Sequence, residues 1–386
     1  MILHQLRRTL ISLPLKHELS NLTIPSSIPF FSLFSTFVNS TGNSISEVSK
    51  YLITQHDFSK ETALKSSIFI TQKKYETPKY VISFFKNLGV SNTQLEAIVL
   101  CDPQILSLDV KNSFMEKIDR IKDLGFSNDD LVNLLSCVPG VLTLPRSVDA
   151  VADSFSVLLN VVGVSNSDVI RVLKNCNWYL GNDLNKSLVP NIKFLENCGI
   201  SQLQIRQTLF NFPRFYLQKP ESIRECARRV DEMGLSRHSK IYIHGVRVMN
   251  SMSLEKWESK VKLFRDMGYS EDDIVNVFRK VPQVFALSEK KILLGSEVLL
   301  SSGSVDLTFL IQRSELLIYS AGSRIKPRLD IIKVLMSKNL LQKEPSTCTV
   351  YKMSDKAFIH RYVLPYADEI GEVGAKYIAR RSLSTP

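Results

Sequence analysis

The sequence contains no long apolar run and little cysteine. Among its 386 residues there is no stretch of 18 consecutive apolar residues, so we predict no transmembrane helix and no membrane insertion. Six cysteines are too few for a scaffold held by disulfides. Apolar residues still make up 44% of the chain, which is enough material for a packed core and excludes wholesale disorder.

The residue spacings that carry common catalytic chemistry are also absent. The sequence has no His-Glu-x-x-His, Gly-x-Ser-x-Gly or Gly-Lys-Thr motif and no Cys-x-x-Cys pair. Its six histidines are scattered, which argues against a structural zinc site. Paired acids such as Asp129-Asp130 are typical of helix first turns, where the helix dipole favours negative charge. We therefore predict neither an enzyme nor a bound metal or cofactor.

Acidic residues are scarce at the beginning of the chain. Glu18 is the only acid in residues 1–46, and 13 of these residues are serine or threonine. Two arginines lie beside a helical stripe of leucines, which comprises Leu3, Leu6, Leu10 and Leu13. An amphipathic, arginine-bearing, serine-rich start is typical of an organelle transit peptide. We predict a leader over residues 1–46 that directs the protein to the mitochondrion, with the chloroplast as the alternative; a disordered leader without an address is the other interpretation.

The chain is basic, and the excess charge is uneven. Lys and Arg number 49 and Asp and Glu number 38, which gives a net charge of +11 and a pI near 9.2. Residues 217–386 hold 28 basic and 20 acidic residues, or +8, whereas residues 47–216 hold 18 and 17, or +1. This balance predicts an anionic partner that is attracted mainly by the second half of the chain.

A short turn motif recurs along most of the chain. A glycine followed by an apolar residue and a serine returns every 34 to 38 residues, at Gly89, Gly125, Gly163, Gly199, Gly234 and Gly268, with a weaker copy at Gly303. Three residues after most of these serines stands Gln or Asp, which resembles a helix capping box. Glycine is a common end signal for the preceding helix. The motif thus predicts two helices joined by a very short turn in every repeat.

A proline ends the second helix in most repeats. Fourteen residues after the glycine comes Pro103, Pro139, Pro213 or Pro282, and a group of apolar residues follows. The third repeat has Asn177 there and the fifth, degenerate repeat has Val248. The segment after the proline is too short for a full helix and predicts a 3₁₀ turn. Because no useful length of the sequence alternates with period 2, we predict an all-α helical-repeat solenoid.

The repeat pattern resembles that of the mTERF family of organellar transcription termination factor-like proteins. The resemblance covers about residues 51–366 and includes the segments Trp257-Glu258-Ser259-Lys260-Val261 and Arg324-Ile325-Lys326-Pro327-Arg328. Where the family tends to carry Leu-Glu-Lys, this chain has Ala321-Gly322-Ser323. We expect a leader over 1–46, an mTERF-like repeat domain over 47–370 and a C-terminal tail over 371–386.

The resemblance implies a superhelix of paired helices with a short third helix in each repeat. It implies binding to nucleic acid, mainly double-stranded DNA, with transcription termination or transcription regulation as the role. An RNA-binding role in organellar intron splicing or ribosomal RNA maturation is the alternative, and a protein-interaction scaffold is a third. We expect a monomer.

The candidate contacts to nucleic acid are basic residues of the second half. Arg224 and Arg228 are four residues apart, as are Lys256 and Lys260, so each pair shares a helix face. Several of the others are expected at or just after a helix end. The simpler interpretation of these side chains is that they are solvated and that their positive charge offsets the helix dipole. The predicted set comprises Arg214, Arg224, Arg228, Arg229, Lys256, Lys260, Arg279, Lys290, Lys291, Arg324, Lys326 and Arg328.

Overall fold

The structure is a computed structural model that describes residues 46–68, 70, 76–108, 114–163 and 165–382. These residues form two compact units, one ending at Pro220 and the other beginning at Glu221. The predicted leader lies outside the described residues except for Ser46, whose side chain accepts a hydrogen bond from the Ser49 amide and caps the first helix. No strand occurs among the described residues, and the predicted all-α class is confirmed.

The first unit contains four complete repeats behind an entry pair of helices. Its α-helices are α1 (Glu47–His56), α2 (Lys60–Ser67), α3 (Glu76–Asn87), α4 (Asn92–Cys101), α5 (Met115–Asp123), α6 (Asn128–Cys137), α7 (Gly140–Thr143), α8 (Val148–Val162), α9 (Asn166–Asn175), α10 (Leu188–Asn197) and α11 (Gln202–Asn211). The 3₁₀ turns are Pro103–Ser107, Asn177–Leu180 and Pro213–Leu217. The prediction of a 3₁₀ turn after each helix pair is therefore confirmed at three repeats, and the second repeat has the short α-helix α7 instead.

The second unit continues the same alternation. Its α-helices are α12 (Pro220–Glu232), α13 (Tyr242–Asn250), α14 (Leu254–Asp266), α15 (Glu271–Lys280), α16 (Glu289–Leu300), α17 (Leu307–Gln312), α18 (Lys326–Ser337), α19 (Thr347–Lys352), α20 (Asp355–Phe358) and α21 (Ala367–Ser382). The 3₁₀ turns are Pro282–Ala286, Ser314–Ile318 and Leu364–Tyr366, and π-helical segments span Ala321–Ile325 and Ile359–Val363.

The glycine-serine turn acts as the sequence predicts. All six predicted glycines lie between two helices with positive φ, from 57° at Gly163 to 97° at Gly89. After Gly199 the Ile200 amide donates to the Leu195 carbonyl, which is the long bond of a Schellman motif. Reciprocal capping boxes then open helices α4, α6, α9, α11 and α15. In these five repeats the first helix is thus ended, and the second helix started, by bonds among neighbouring residues.

The fifth repeat departs from the pattern, as its sequence suggests. Ser236 opens no helix directly, and α13 begins only at Tyr242. Val248 stands at the expected proline position and is buried within α13, so the helix continues where other repeats turn. This repeat therefore lacks the 3₁₀ turn that follows the second helix elsewhere.

Helix α21 extends beyond the boundary expected at residue 370. It passes through a kink at Gly371, where φ is 47°. Tyr377, inside the expected tail, is buried, and its hydroxyl lies 3.0 Å from Nε of Arg328 and 3.1 Å from a carboxylate oxygen of Asp355. Residues 371–382 are thus packed against the C-terminal repeat.

Candidate nucleic-acid interface

The twelve predicted basic residues divide by exposure. Buried positions are Arg229, Lys260 and Arg328, and half-buried ones are Arg228, Arg279, Lys291 and Arg324. The remaining five side chains are exposed to solvent, namely Arg214, Arg224, Lys256, Lys290 and Lys326. The exposed side chains are the most accessible to a phosphate.

Arg328 is a structural residue, which corrects the sequence interpretation. Its side chain is fully buried, and its NH1 donates to the carbonyl oxygens of Val350 at 2.6 Å and Met353 at 2.8 Å. NH2 pairs with the Asp355 carboxylate at 2.5 Å, and the guanidinium lies 4.7 Å from the ring centroid of Phe358. Because these contacts occupy the guanidinium on all sides, we remove Arg328 from the interface.

Burial also argues against a phosphate contact by Arg229 or Lys260. Their side chains keep 8% and 9% of their surface in contact with solvent. Loss of water around each group lowers the pKa of Arg229 and of Lys260 from its ordinary value, the effect expected of a charge held inside a fold. Lys260 lies on the side of α14 that carries the buried residues Trp257, Val261 and Phe264. Both residues are therefore corrected to structural positions.

The half-buried cations are largely engaged within the protein. Lys291 Nζ donates to the Ile318 carbonyl at 2.7 Å, and Arg279 Nε donates to the Met233 carbonyl at 2.7 Å. Arg228 forms ion pairs with Glu225 and Glu232 on its own helix. Arg324 lies 3.6 Å from Asp355 and stacks over the ring of Tyr319. A phosphate would have to compete with these partners.

Donors that bind a neighbouring turn recur in the fold. Lys117 donates to the carbonyl oxygens of Leu142 and Leu144, and the Asn191 side chain donates to those of Tyr216 and Gln218. In each case the donor belongs to the first helix of a repeat and the acceptors belong to the turn that ends the repeat. Lys291 makes the same kind of bond to the Ile318 carbonyl. A lysine in the first helix of a repeat can therefore bind the turn of its own repeat although the sequence suggests a surface cation.

The exposed candidate cations of the second unit lie near helix starts. Lys256, Lys290 and Lys326 stand within the first three residues of α14, α16 and α18, and Arg224 is the fifth residue of α12. The sequence interpretation placed Lys290, Lys291 and Lys326 at helix ends, so their position at helix starts is a correction. The four exposed cations are the third, second, first and fifth residues of their helices, so their side chains lie near helix starts without sharing one equivalent position.

The position of these cations argues against a purely structural role. A positive side chain near a helix N-terminus is disfavoured by the helix dipole, unlike the Arg279-Lys280 pair in the last turn of α15. Glu255 and Glu289 stand beside Lys256 and Lys290 and offset part of this repulsion. Helix N-termini also present free backbone N–H groups, which attract anions such as phosphate. The lysines at the starts of α14, α16 and α18 therefore add positive charge beside these N–H groups.

Arg214 belongs to the first unit and has a different environment. It follows Pro213 in a 3₁₀ turn, and its guanidinium carbon lies 4.2 Å from the ring centroid of Trp178. The Trp178 side chain, which sequence reasoning did not select, is 49% exposed. Trp178 and Arg214 occupy the same position in their two repeats, since each directly follows the residue at the expected proline position. The unusual exposure of an indole could not be recognised without the structure.

Repeated helix pairs and capped glycine turns define an all-α helical-repeat protein, and exposed basic residues lie near several helix starts of its second unit. The family model described as mTERF matches residues 36–238, 82–306 and 232–359. These overlapping matches span most of the sequence, so the chain belongs to the mTERF family. A comparison with curated proteins found no match. The mTERF family is a family of organellar, non-enzymatic helical-repeat proteins that bind nucleic acid.

None of the helices in the described ranges combines the length and apolar character needed to cross a membrane. Within the same ranges, His, Cys, Asp and Glu side chains form no group of three or more suited to hold a metal ion.

Proposed function

We propose that the protein binds double-stranded DNA in an organelle and regulates or terminates transcription there. The observation that supports this function best is the set of exposed cations in the first or second turn of helices of the second unit, made of Arg224, Lys256, Lys290 and Lys326. Contacts of this kind fix the affinity and register of a protein on the phosphate backbone but carry no base information. The net charge of +8 in residues 217–386 adds a long-range attraction to the same surface.

An RNA-binding role in organellar intron splicing or ribosomal RNA maturation is the second candidate. It is favoured by one observation, the half-exposed indole of Trp178 beside Arg214. Aromatic side chains of this kind bind unpaired bases, which single-stranded RNA offers and a closed duplex does not.

Filter binding of the purified protein to duplex DNA and to single-stranded RNA of equal length separates these roles. The proposed function predicts tighter binding to the duplex at the same salt concentration, and affinity that falls steeply with added salt. Tighter binding to RNA would favour the second candidate. Weak, length-independent binding to both would favour a protein-interaction scaffold and contradict the proposal.

We further propose that residues 1–46 direct import into the mitochondrion, with the chloroplast as the alternative, and that the protein acts as a monomer. Deletion of the first 40 residues is expected to abolish import into isolated organelles while leaving helicity and nucleic-acid binding unchanged. Import of the truncated protein at the full-length rate would contradict the leader assignment.

A further inference from the structure

Trp178 and Arg214 occupy equivalent positions in consecutive repeats of the first unit. Trp178 follows Asn177 and Arg214 follows Pro213, so each is the second residue of its 3₁₀ turn. In both turns this residue points to solvent while the next ones, Tyr179 and Phe215, are buried. Stacking of the two repeats therefore brings an exposed guanidinium onto an exposed indole, at 4.2 Å between the guanidinium carbon and the ring centroid.

The backbone that carries this pair is held by one buried and two exposed hydrogen bonds. The Tyr179 hydroxyl donates to the Pro213 carbonyl at 2.7 Å, which joins the two turns directly beneath the pair. The Asn182 side-chain amide donates to the Trp178 carbonyl at 2.7 Å, and Arg146 donates to the Asn182 carbonyl at 3.3 Å. A ligand that stacks on the indole would thus meet a preformed surface and lose little affinity to ordering of the protein.

The other flank of the indole is left open by the sequence of the preceding repeat. There the equivalent position is Gly140, which has no side chain, and a Cβ placed on it would meet only the Thr143 hydroxyl at 4.0 Å. The indole therefore has a cation from the following repeat on one side and no equivalent side chain on the other. About half of its surface remains in contact with water.

We propose that Trp178 is a stacking platform for one unpaired base of a single-stranded nucleic acid, with Arg214 as the second layer behind the indole. This inference rests on the proposal that the chain binds nucleic acid, and it names a ligand subsite for the second candidate function, the binding of single-stranded RNA. A flat aromatic face accepts any base, because every base has a π-face, and an arginine beside it adds a cation–π contact. A base inside a closed duplex has both faces covered by its neighbours and does not enter the platform.

The stacking platform lies in the first unit, which has little net charge. Its contribution to affinity can therefore be distinguished from that of phosphate binding by the second unit. Residues 47–216 carry only +1, so counterion release from this half is small. Stacking on Trp178 should therefore add affinity that does not depend on salt concentration. Phosphate contacts in the second unit should instead set the salt dependence.

The test compares W178A, W178F and a control variant on two probes. The probes are a short single-stranded oligonucleotide of mixed sequence and the same strand with abasic sites throughout. W178A should bind the base-bearing strand roughly 5- to 150-fold more weakly than the wild type, with an unchanged salt slope. W178F, which keeps an aromatic face, should retain most of the affinity. The control L203A, which truncates another exposed apolar side chain of the first unit (65% exposed), should bind like the wild type.

Fluorescence gives an independent readout, because the chain contains two tryptophans and Trp257 is only 4% exposed. In the W257F variant, Trp178 is the sole tryptophan emitter. Its emission should be quenched by the base-bearing strand and not by the abasic strand. If W257F proves unstable, the difference between wild-type and W178F emission reports the same quantity.

Two results would overturn the inference. Equal affinity of W178A and wild type for the base-bearing strand, without quenching, would exclude the platform while leaving the proposed function intact. An equal loss of affinity for the abasic strand would show that Trp178 supports a backbone contact instead of stacking. Failure of the wild type to bind any single strand or duplex would overturn the proposed function itself.

Discussion

Replacement of Arg328 by alanine should destabilise the second unit without removing a nucleic-acid contact. The guanidinium has no exposed surface, and the substitution removes this donor from the carbonyl oxygens of Val350 and Met353. It also removes the nearest cation from the Asp355 carboxylate, which keeps its contacts with Arg324 and Tyr377. Removal of one partner from a buried ion pair typically costs about 3–5 kcal/mol. Asp355 keeps 31% of its side chain in water, so we expect a loss near the lower end, about 3 kcal/mol.

Denaturant unfolding followed by tryptophan fluorescence measures this loss. In a W178F background the remaining indole, Trp257, belongs to the second unit and reports its unfolding selectively. Lys326→Ala is the matched control, because Lys326 is exposed two residues earlier on the same helix and its removal should change the unfolding free energy by less than about 0.5 kcal/mol. An R328A variant that unfolds at the wild-type denaturant concentration but binds nucleic acid more weakly would refute the structural assignment.

Two further predictions concern the second unit. Gly234→Ala should lower the denaturant midpoint more than Gly303→Ala. Both positions have positive φ, which costs a residue with a Cβ about 1–2 kcal/mol, but at Gly234 the new Cβ would also displace the Arg279 guanidinium from its hydrogen bond to the Met233 carbonyl. Equal midpoints would contradict the Arg279 contact. Burial, together with the nearby Arg247, lowers the pKa of His244 below its ordinary value of 6.5. Protonation of His244 therefore favours the unfolded chain. The stability that this histidine contributes is present above pH 6.5 and is lost as the pH falls below 6.5. The His244→Gln variant should lose less stability than the wild type between pH 7 and pH 5 in denaturant titrations. An identical loss in both proteins would contradict the lowered pKa of His244.

The fold could be predicted because the bonds that define each repeat are local. Helix α10 ends just before Gly199, and α11 begins after Ser201, through hydrogen bonds between residues at most five positions apart. All residues that form this turn are therefore neighbours in the sequence. The fifth repeat could be recognised as degenerate from Val248 at the proline position, but the loss of its turn was not predicted, and the repeat with Asn177 at this position keeps its 3₁₀ turn. The packing of α21 through Tyr377 was not predicted, because it depends on contacts with Arg328 and Asp355, which are distant from Tyr377 in the sequence.

The site was harder to predict for the same reason. Lys290 and Lys291 are neighbours of one type, yet the first is exposed and the second donates to the carbonyl of Ile318 in the next turn. Which of two adjacent lysines faces a stacked repeat depends on helix phase and tertiary packing, not on composition. Trp178 was overlooked because an indole is ordinarily a core residue, and its exposure follows from its place in a turn whose neighbouring positions are buried.

The salt dependence of duplex DNA binding tests most directly whether exposed cations of the second unit hold the nucleic acid. The variant Lys256→Ala, Lys290→Ala, Lys326→Ala is compared with a matched variant of three exposed lysines of the first unit, Lys60→Ala, Lys122→Ala, Lys193→Ala. Removal of a lysine that binds a phosphate should reduce the slope of log affinity against log salt by about 0.9 on duplex DNA. We predict a reduction approaching about 2.7 for the first variant and a much smaller one for the second. Equal slopes for the two variants, at wild-type helicity, would contradict the proposed interface.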